Sequence, residues 1–290
     1  MKFSQNEKRR KKSPLTFIFL FLLVLTPFAL SQVVQTQVID LSEKARDYFI
    51  EATKGNIVGQ ETGSIFAQND VVGTAEEDIQ SQGGTLIFLQ TAEFISIISS
   101  DTVNDILGGA NANSVLIQGL DENFSEISEI VNLSATSTNT TQEYIRINKL
   151  LVKDVGTYSV SNAGIITATA SLSLTTQVEI PIGEGISKSS HYTVPAGKRF
   201  IGTRIFVSVD TGKEVDVALK IRENADDVVS PFSPVIVPRF VKGISLPINA
   251  EQKSGLILNE KSDIWATGVT SVGTSEIEVN LDFVQYAIGT

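Results

Sequence analysis

The chain has 290 residues, of which 42% are hydrophobic, 7% aromatic and 19% charged, and its formal net charge is −10. This composition excludes a disordered, a collagen-like or a multi-span membrane protein. The absence of Cys excludes disulfides, thiolate metal sites and cysteine nucleophiles, and the single His excludes a metal centre built from several histidines.

The N-terminus carries a basic block followed by an uncharged apolar segment. Residues 1–31 hold six basic residues and one acid, which is +5 of the net −10 and leaves −15 for the rest. Because residues 32–290 are so acidic, we expect no direct binding to nucleic acid, whose phosphates are bound by clustered Lys and Arg. Residues 15–30 would make about 24 Å of helix, short of a ~30 Å hydrocarbon core, and Ala29 and Ser31 suit signal cleavage. A cleaved signal, a retained membrane anchor and a buried core helix all remain open for this segment.

A short helix and a long irregular segment are predicted next. Residues 40–52 place apolar side chains at helical spacing, and Gly55 follows the expected end of the helix. The helix would serve either as a connector or as a stalk that binds a partner. Residues 55–84 contain six Gly and the acidic run 76–78, which predicts irregular structure.

From residue 85 onward the hydrophobic pattern has a period of two. Residues 215–222 and 276–283 alternate apolar with polar side chains, as half-buried antiparallel strands do. Further strands are predicted at residues 86–89, 93–98, 115–118, 127–133, 144–152, 165–174, 199–209, 243–248, 255–258 and 263–267. A Ser/Thr-rich run and a proline-containing run predict loops at 134–142 and 223–238.

Many short strands separated by turns predict a mainly β fold with two antiparallel, jelly-roll-like β-sandwiches. The predicted division gives residues 1–31 to the signal or anchor, 32–84 to the helix and irregular segment, 85–178 to the first sandwich and 179–290 to the second. Pro181, Gly183 and Gly185 favour a boundary near residues 179–186. A single larger sandwich that uses this stretch as a crossover is the alternative.

Motifs of the common enzyme families are incomplete in this sequence. Gly197-Lys198 lacks both the upstream Gly and the following Ser or Thr of a P-loop, and Gly183-Glu184-Gly185 lacks the third Gly of a dinucleotide fingerprint. A Gly-x-Ser-x-Gly elbow does not occur. His191 is expected to form a surface or interface hydrogen bond, because catalysis would also require a partner that orients it.

The remaining candidate sites are acidic pairs and one tryptophan. Acidic residues adjoin at 76–78, 121–122 and 226–227 without the spacing of an EF-hand, so solvated loops are expected, with a looser surface cation site as the alternative. Trp265 is a candidate ligand contact that would stack on a sugar, although Trp in a strand more often packs in a core or at a sheet edge. Glycosylation patterns begin at Asn123, Asn132 and Asn139. No cofactor or metal is predicted.

Three stretches of the chain resemble a known family. Residues 113–129 lead through a Ser/Thr-rich turn to Tyr144-Ile145-Arg146 and then to Asn162-Ala163-Gly164, while residues 183–198 and 261–283 are similar to the same family, and 54–84 more loosely. The chain thus resembles virion structural proteins of aquatic tailed phages and of related large aquatic viruses. This resemblance implies a non-enzymatic particle component and supplies no catalytic or ligand residues. Residues 1–31 depart from it.

Three functional hypotheses follow from the sequence. The first is a virion structural or surface protein, associated with capsid or tail, which contacts other virion proteins and copies of itself. The second is a secreted or membrane-anchored cell-surface binding module, for example for carbohydrate, with residues 32–290 outside the cytoplasm and membrane contact through residues 15–30. The third is a hydrolase that uses paired carboxylates.

Overall fold

A computed structural model describes residues 50–289, apart from the side chains of residues 252–254. Residues 50–53 are helical and Gly55, with a φ of 75°, follows them as expected. The rest of the helix predicted at 40–52, and residues 1–31, lie outside the described residues. The strands of the described part are β1 (Gln60–Val72), β2 (Glu77–Asp78), β3 (Glu93–Ser99), β4 (Ala112–Leu120), β5 (Glu126–Asn132), β6 (Thr138–Tyr144), β7 (Arg146–Val155), β8 (Ile166–Ala170), β9 (Thr176–Ile180), β10 (Tyr192–Thr193), β11 (Lys198–Val209), β12 (Val215–Arg222), β13 (Val235–Ile244), β14 (Ile248–Leu258), β15 (Asp263–Thr270) and β16 (Ser275–Ala287).

The larger sandwich is built from two facing antiparallel sheets. One sheet has the order β1-β16-β11-β14, and the other has the order β10-β15-β12-β13, with β2 also paired to β15. Alternating apolar residues point inward from both sheets and form one core, which contains Ile65, Phe200, Leu219 and Ile277. Burial of these apolar faces against each other is what holds the two sheets together.

The strand pairing of this sandwich is that of a jelly roll. Strands β2 and β10 follow one another along the same edge of β15. Strand β2 pairs with residues 267–268 and β10 with residues 263–264, so the two together fill one strand position that is interrupted. Counted this way, the first of eight strand positions pairs with the eighth, the second with the seventh, the third with the sixth and the fourth with the fifth. This is one long hairpin rolled into two sheets.

The smaller sandwich is inserted where that second strand position is interrupted. Gln80 and Ser189 form an isolated antiparallel bridge, and the backbone N–H of Ser81 donates to the Lys188 carbonyl at 2.9 Å. Between these two crossings, strands β3 to β9 form sheets of order β6-β3-β8-β9 and β5-β4-β7. Their shared core contains Ile117 and Leu150. Because of the bridge and the hydrogen bond near Gln80 and Ser189, the segment that enters the smaller sandwich lies beside the segment that leaves it.

The sequence prediction of a mainly β protein with antiparallel sheets is confirmed. Strands predicted at 93–98, 115–118, 127–133, 199–209, 215–222, 263–267 and 276–283 coincide with β3, β4, β5, β11, β12, β15 and β16. The predicted division between residues 178 and 179 stays a prediction; it falls within β9, while β1 shares its core with the C-terminal strands.

The prediction of irregular structure throughout residues 55–84 is wrong, because β1 and β2 lie there. The alternation of β1 is masked by Asn69, which is buried in an inward position, and by Gly63, which has no side chain. The Asn69 amide is accommodated because its Nδ2 donates to the Asp78 carbonyl at 3.3 Å and its Oδ1 accepts from the Val71 N–H at 3.0 Å.

Four local predictions are also corrected. Strand β6 occupies part of the predicted loop 134–142, and β13 begins within the predicted loop 223–238. Polar residues suit β6 because it is an edge strand, and Pro238 is tolerated in β13 for the same reason. No strand forms at 86–89, where the Leu86 N–H donates to the Asp78 carboxylate at 2.8 Å instead of to a neighbouring strand. Residues 245–247 interrupt the predicted strand 243–248.

Candidate functional site

The junction between the two sandwiches gathers three of the residues that the sequence singled out. His191 precedes β10, Asp78 ends β2, and Trp265 lies in β15, which pairs with both strands. All three side chains are buried. The imidazole of His191 stacks on the Trp265 indole with ring centroids 6.3 Å apart, and Phe88 packs edge-on against both rings. The Trp265 ring, 7% exposed, therefore serves the packing of this junction and presents no open face to a sugar.

His191 lies between a hydroxyl and a carboxylate. Its Nδ1 is 3.0 Å from Ser189 Oγ, and its Nε2 is 3.1 Å from Asp78 Oδ2. A serine, a histidine and an aspartate in this order are the groups of a nucleophile, a base and an orienting acid. The same contacts also fix the crossing chains, because Ser189 Oγ accepts from the His191 N–H at 3.3 Å and Asp78 holds the Leu86 N–H.

A buried ion pair joins the sandwiches beside this cluster. Arg146, at the start of β7, donates from Nε to Asp263 Oδ1 at 3.0 Å and from Nη2 to Oδ2 at 3.1 Å. The arginine is 4% exposed and the aspartate 0%. Arg146 Nη1 also donates to the Leu89 and Ile145 carbonyls, and Thr193 Oγ1 donates to Asp263 at 2.6 Å. Four hydrogen bonds from the guanidinium and one from Thr193 thus surround the pair, as the burial of charges requires.

A second polar connection lies between β11 and the smaller sandwich. Lys198 Nζ is 2.6 Å from Glu126 Oε2, on β5, and 3.1 Å from Glu61 Oε2, on β1. Burial opposes the charge on Lys198, but the hydrogen bonds to Glu126 and Glu61 outweigh it and raise the lysine pKa. Asn148 adds two hydrogen bonds to the Thr193 backbone, at 2.9 and 3.0 Å. The contacts fix the two sandwiches to each other at several separate points.

A cleft of about 480 Å³ lies between the sandwiches. Hydroxyl, amide and aromatic side chains line it, among them Ser64, Phe66, Gln118, Asn148, Ser187, Ser189 and Tyr192. Several of these groups are already bonded within the protein: Ser64 to Asn280, Ser187 to the Leu150 N–H, and the Tyr192 hydroxyl to Gln285. Burial and then the nearby Glu126 raise the Tyr192 pKa. The phenol is therefore neutral near pH 7 and acts as a hydrogen-bond donor.

The acidic runs lie apart and form local contacts. Glu76 contacts Lys220 at 2.7 Å and Thr267 at 2.6 Å, and these hydrogen bonds lower its pKa. The 121–122 run caps a turn through Asp121, and the 226–227 run bonds Lys261 and Ser233. Within residues 50–289 no cluster of three or more His or acidic residues could hold a metal ion. The glycosylation acceptors Asn123, Asn132 and Asn139 are all exposed.

Strand β13 exposes apolar side chains on both of its faces, a feature that sequence reasoning missed. Val235 and Ile236 are 50% and 44% exposed, and Phe240 and Val241 are 50% and 37% exposed. Each pair consists of consecutive residues, which point to opposite faces of a strand. The signal was present in the sequence as the β-branched run 235–237, but the surrounding prolines favoured a loop.

Comparison with known proteins gives no family assignment. Neither a protein-family model nor a curated protein matches the chain. Among solved structures, the chain is similar to a chain of the infectious bursal disease virus Gx strain, at 9% identity and a TM-score of 0.25, covering 80% of this chain and 71% of that one. It is also similar to a chain of the T13 particle of the same virus, at 10% identity and a TM-score of 0.22, covering 79% and 73%. Likenesses at such TM-scores establish no shared fold. In residues 50–289, no helix has the length and apolar character that a bilayer crossing requires.

Proposed function

We propose that this chain is a non-enzymatic structural component of a virus particle, which works through contacts with other virion proteins and with copies of itself. The observation that carries the proposal is the jelly-roll pairing of the larger sandwich, because viral capsid domains use this arrangement. A fold alone does not determine function. The resemblance of residues 113–129, 183–198 and 261–283 to virion structural proteins supplies the second support.

The junction is consistent with a structural role. A particle component has to keep its parts in fixed orientation while neighbours press on its surface. The buried pair of Arg146 with Asp263 and the ion pair of Lys198 with Glu126 fix the inserted sandwich on the jelly roll. Such contacts would transmit force between the two sandwiches without local unfolding.

The direct test is the composition of purified particles. We expect mass spectrometry of particles from cultures that produce this chain to recover its peptides at a fixed ratio to those of other structural proteins. Immunogold labelling with antibodies against exposed loops would then locate it on the particle. Particles that contain the other structural proteins but none of this chain would contradict the proposal.

The arrangement of Ser189, His191 and Asp78 is assigned a structural role. Phe88 and Trp265 pack against the buried imidazole, and its two hydrogen bonds hold the chain crossings together. We therefore expect full-length protein to hydrolyse p-nitrophenyl esters no faster than its Ser189→Ala variant. A measurable esterase rate that disappears in Ser189→Ala would overturn the non-enzymatic part of the proposal.

The cleft favours a second candidate, a secreted or membrane-anchored binding module for carbohydrate. Jelly rolls also occur in lectins, and Gln118, Lys149 and the half-exposed Phe66 lie in the cleft. This function predicts binding to a glycan array that is lost in Gln118→Ala but kept in Asn139→Ala, whose side chain is exposed on β6. Absence of binding to every glycan would exclude carbohydrate as the ligand of this alternative.

A further inference from the structure

We infer that the cleft between the sandwiches binds a saccharide that carries a carboxylate, and that Lys149 contacts this carboxylate. The inference rests on the second candidate function, because it uses the same cleft, and it narrows the ligand from carbohydrate in general to acidic sugars. Three observations carry it: a row of polar side chains without partners, a lysine without a counter-charge, and neutral polar and aromatic groups in the rest of the lining.

The row lies on the face of the smaller sandwich that lines the cleft. In the register of β5, β4 and β7, Gln118 lies opposite Ser128 on one side and opposite Lys149 on the other. Side chains directly opposite each other in antiparallel strands share a face, with their Cβ atoms roughly 5 Å apart. All three residues are exposed and line the cleft, and within residues 50–289 their side chains have no hydrogen-bond partner. The row therefore offers a hydroxyl, an amide and an ammonium group to a ligand.

Lys149 is not neutralised by the carboxylates near it. The other charged residue that lines the cleft is Glu126, whose Oε2 is 2.6 Å from Lys198 Nζ. Glu184, which lines a neighbouring groove together with Lys149, is 3.0 Å from Lys188 Nζ. Both carboxylates thus pair with other lysines, and in the described part of the chain Lys149 forms no salt bridge. Its ammonium is available to an anionic group of a ligand, and a carboxylate is a strong acceptor for it.

The rest of the lining favours a saccharide over a simple carboxylate. Phe66, on β1, is 38% exposed, so part of its ring can pack on the C–H groups of a sugar. Ser187 Oγ accepts from the Leu150 N–H and keeps its own hydrogen to donate. The volume of about 480 Å³ lies within the ~300–1,000 Å³ of small-molecule sites. Several neutral polar groups beside one unpaired cation match a ligand with many hydroxyls and one carboxylate.

The first test compares probes that differ in an acidic sugar. Saturation-transfer NMR of the full-length protein measures the Kd of sialyllactose and of lactose. We expect sialyllactose to bind at least tenfold more tightly, and added salt to weaken its binding more than that of lactose, because ions screen an exposed pair. A hyaluronan tetrasaccharide, whose carboxylates belong to uronic acids, shows whether a sialic or a uronic acid is the preferred source. Binding of neither acidic probe more tightly than lactose would overturn the inference.

Substitutions in the full-length protein test the acid contact. Lys149→Gln should raise the Kd of the preferred acidic probe at least tenfold and leave that of lactose unchanged. Gln118→Ala should weaken binding of both, because its amide contacts sugar hydroxyls. Lys153→Gln is the matched control: it removes the same charge from the same exposed side of β7, but Lys153 lines the neighbouring groove instead of the cleft. Equal losses for Lys149→Gln and Lys153→Gln would refute the inference, since net charge would then be the cause.

The inference and the candidate function fail in different ways. If lactose binding is lost in Gln118→Ala while Lys149→Gln binds every probe like the native chain, the acid contact is wrong and the carbohydrate function stands. If no saccharide binds, both are wrong. Binding of poly-glutamate that requires Lys149, without binding of any saccharide, would assign the cleft to acidic peptides and overturn the inference. The composition of purified particles tests the particle role independently of all these outcomes.

Discussion

Arg146 illustrates how much one buried side chain can determine here. Its guanidinium meets both oxygens of Asp263 and two backbone carbonyls, whereas Arg204 forms a comparable pair with Asp282 near the surface, where its side chain is 45% exposed. A buried charge whose hydrogen-bond geometry is lost still bears the cost of desolvation. Water solvates an exposed charge when its ion pair is broken.

We therefore predict that Arg146→Lys lowers the free energy of unfolding by about 3 kcal/mol, because an ammonium cannot reproduce the bidentate contact. Arg204→Lys should lower it by less than about 1 kcal/mol. Urea denaturation followed by circular dichroism measures both. Equal losses for the two variants would mean that the junction contributes little.

Glu93 gives the stability of the fold a defined pH dependence. Its carboxylate accepts from the Leu172 and Ser173 N–H groups at 2.7 and 2.9 Å. Burial raises its pKa, but these hydrogen bonds outweigh burial, so that the pKa in the folded state lies below the usual value. The carboxylate therefore stabilises the fold fully above the unfolded-state pKa, and this contribution disappears as pH falls through the folded-state pKa.

Glu93→Gln should accordingly reduce stability by about 1–2 kcal/mol at pH 7. The difference in Tm from the native protein should stay constant down to about pH 5 and narrow below about pH 4.5. Glu143→Gln, at an exposed position on β6, is the control and should show little difference at either pH. A gap that widens on acidification would contradict the sign of this argument.

At the scale of elements, the pairing of β1 with β16 depends on a missing side chain. A Cβ placed on Gly63 would lie 2.4 Å from Phe283 Cζ, on the neighbouring strand. The Phe283 ring cannot move freely, because it stacks on Phe200 with centroids 4.6 Å apart and also contacts Tyr192. Gly63 is therefore required by the packing of an aromatic ring.

We predict that Gly63→Ala costs about 1–3 kcal/mol of unfolding free energy through overpacking. Combining it with Phe283→Leu should recover at least about 1 kcal/mol relative to the sum of the single variants. Gly73→Ala, where a Cβ would meet only Glu77 Oε1 at 3.4 Å, is the control and should be nearly neutral. Additive effects of Gly63→Ala and Phe283→Leu would show that the ring is not the cause.

Sequence patterns predicted the strands whose alternation is clean and missed those that carry exceptions. Residues 215–222 became β12 because apolar and polar side chains alternate without interruption. Strand β1 escaped prediction because two inward positions are not apolar: Asn69 is held by hydrogen bonds to Asp78 and Val71, and Gly63 is required by the ring of Phe283. Strand β13 was not predicted because a strand with apolar side chains exposed on both faces shows no alternation. Pro238 also favoured a loop, because proline is common in loops and rare within strands.

The candidate site was less predictable, since it is made by the insertion. The sequence singled out His191, Trp265 and the acidic run 76–78 separately, but their contact arises only because β2 and β10 meet along β15. Arg146 and Asp263 are 117 positions apart and gave no signal as a pair. Spatial contacts across an inserted sandwich leave no local pattern of the kind that secondary-structure periodicity reads.

For the whole molecule, the junction raises the question of whether the two sandwiches unfold together. The chain crosses between them twice, near Gln80 and Ser189, and the buried Arg146–Asp263 pair, Asn148 and Lys198 add contacts across the interface. Opening of one sandwich would break the bidentate pair and these hydrogen bonds together, and it would expose the rings of Phe88 and Trp265 that pack across the junction. The native chain should therefore unfold in one cooperative transition.

Asp263→Asn should break this coupling, because it leaves the Arg146 guanidinium buried without a counter-charge. We predict that hydrogen exchange with mass spectrometry gives β4 and β15 the same opening free energy in the native protein. In Asp263→Asn both opening free energies should decrease and become unequal, with a decrease of about 3–5 kcal/mol in the less stable sandwich. Asp226→Asn removes an exposed pair with Lys261, whose side chain is 32% exposed, and should change neither value by more than about 1 kcal/mol. Because β4 belongs to the insertion and β15 to the jelly roll, unequal opening already in the native chain would mean that the sandwiches are independent and that the ion pair only positions them.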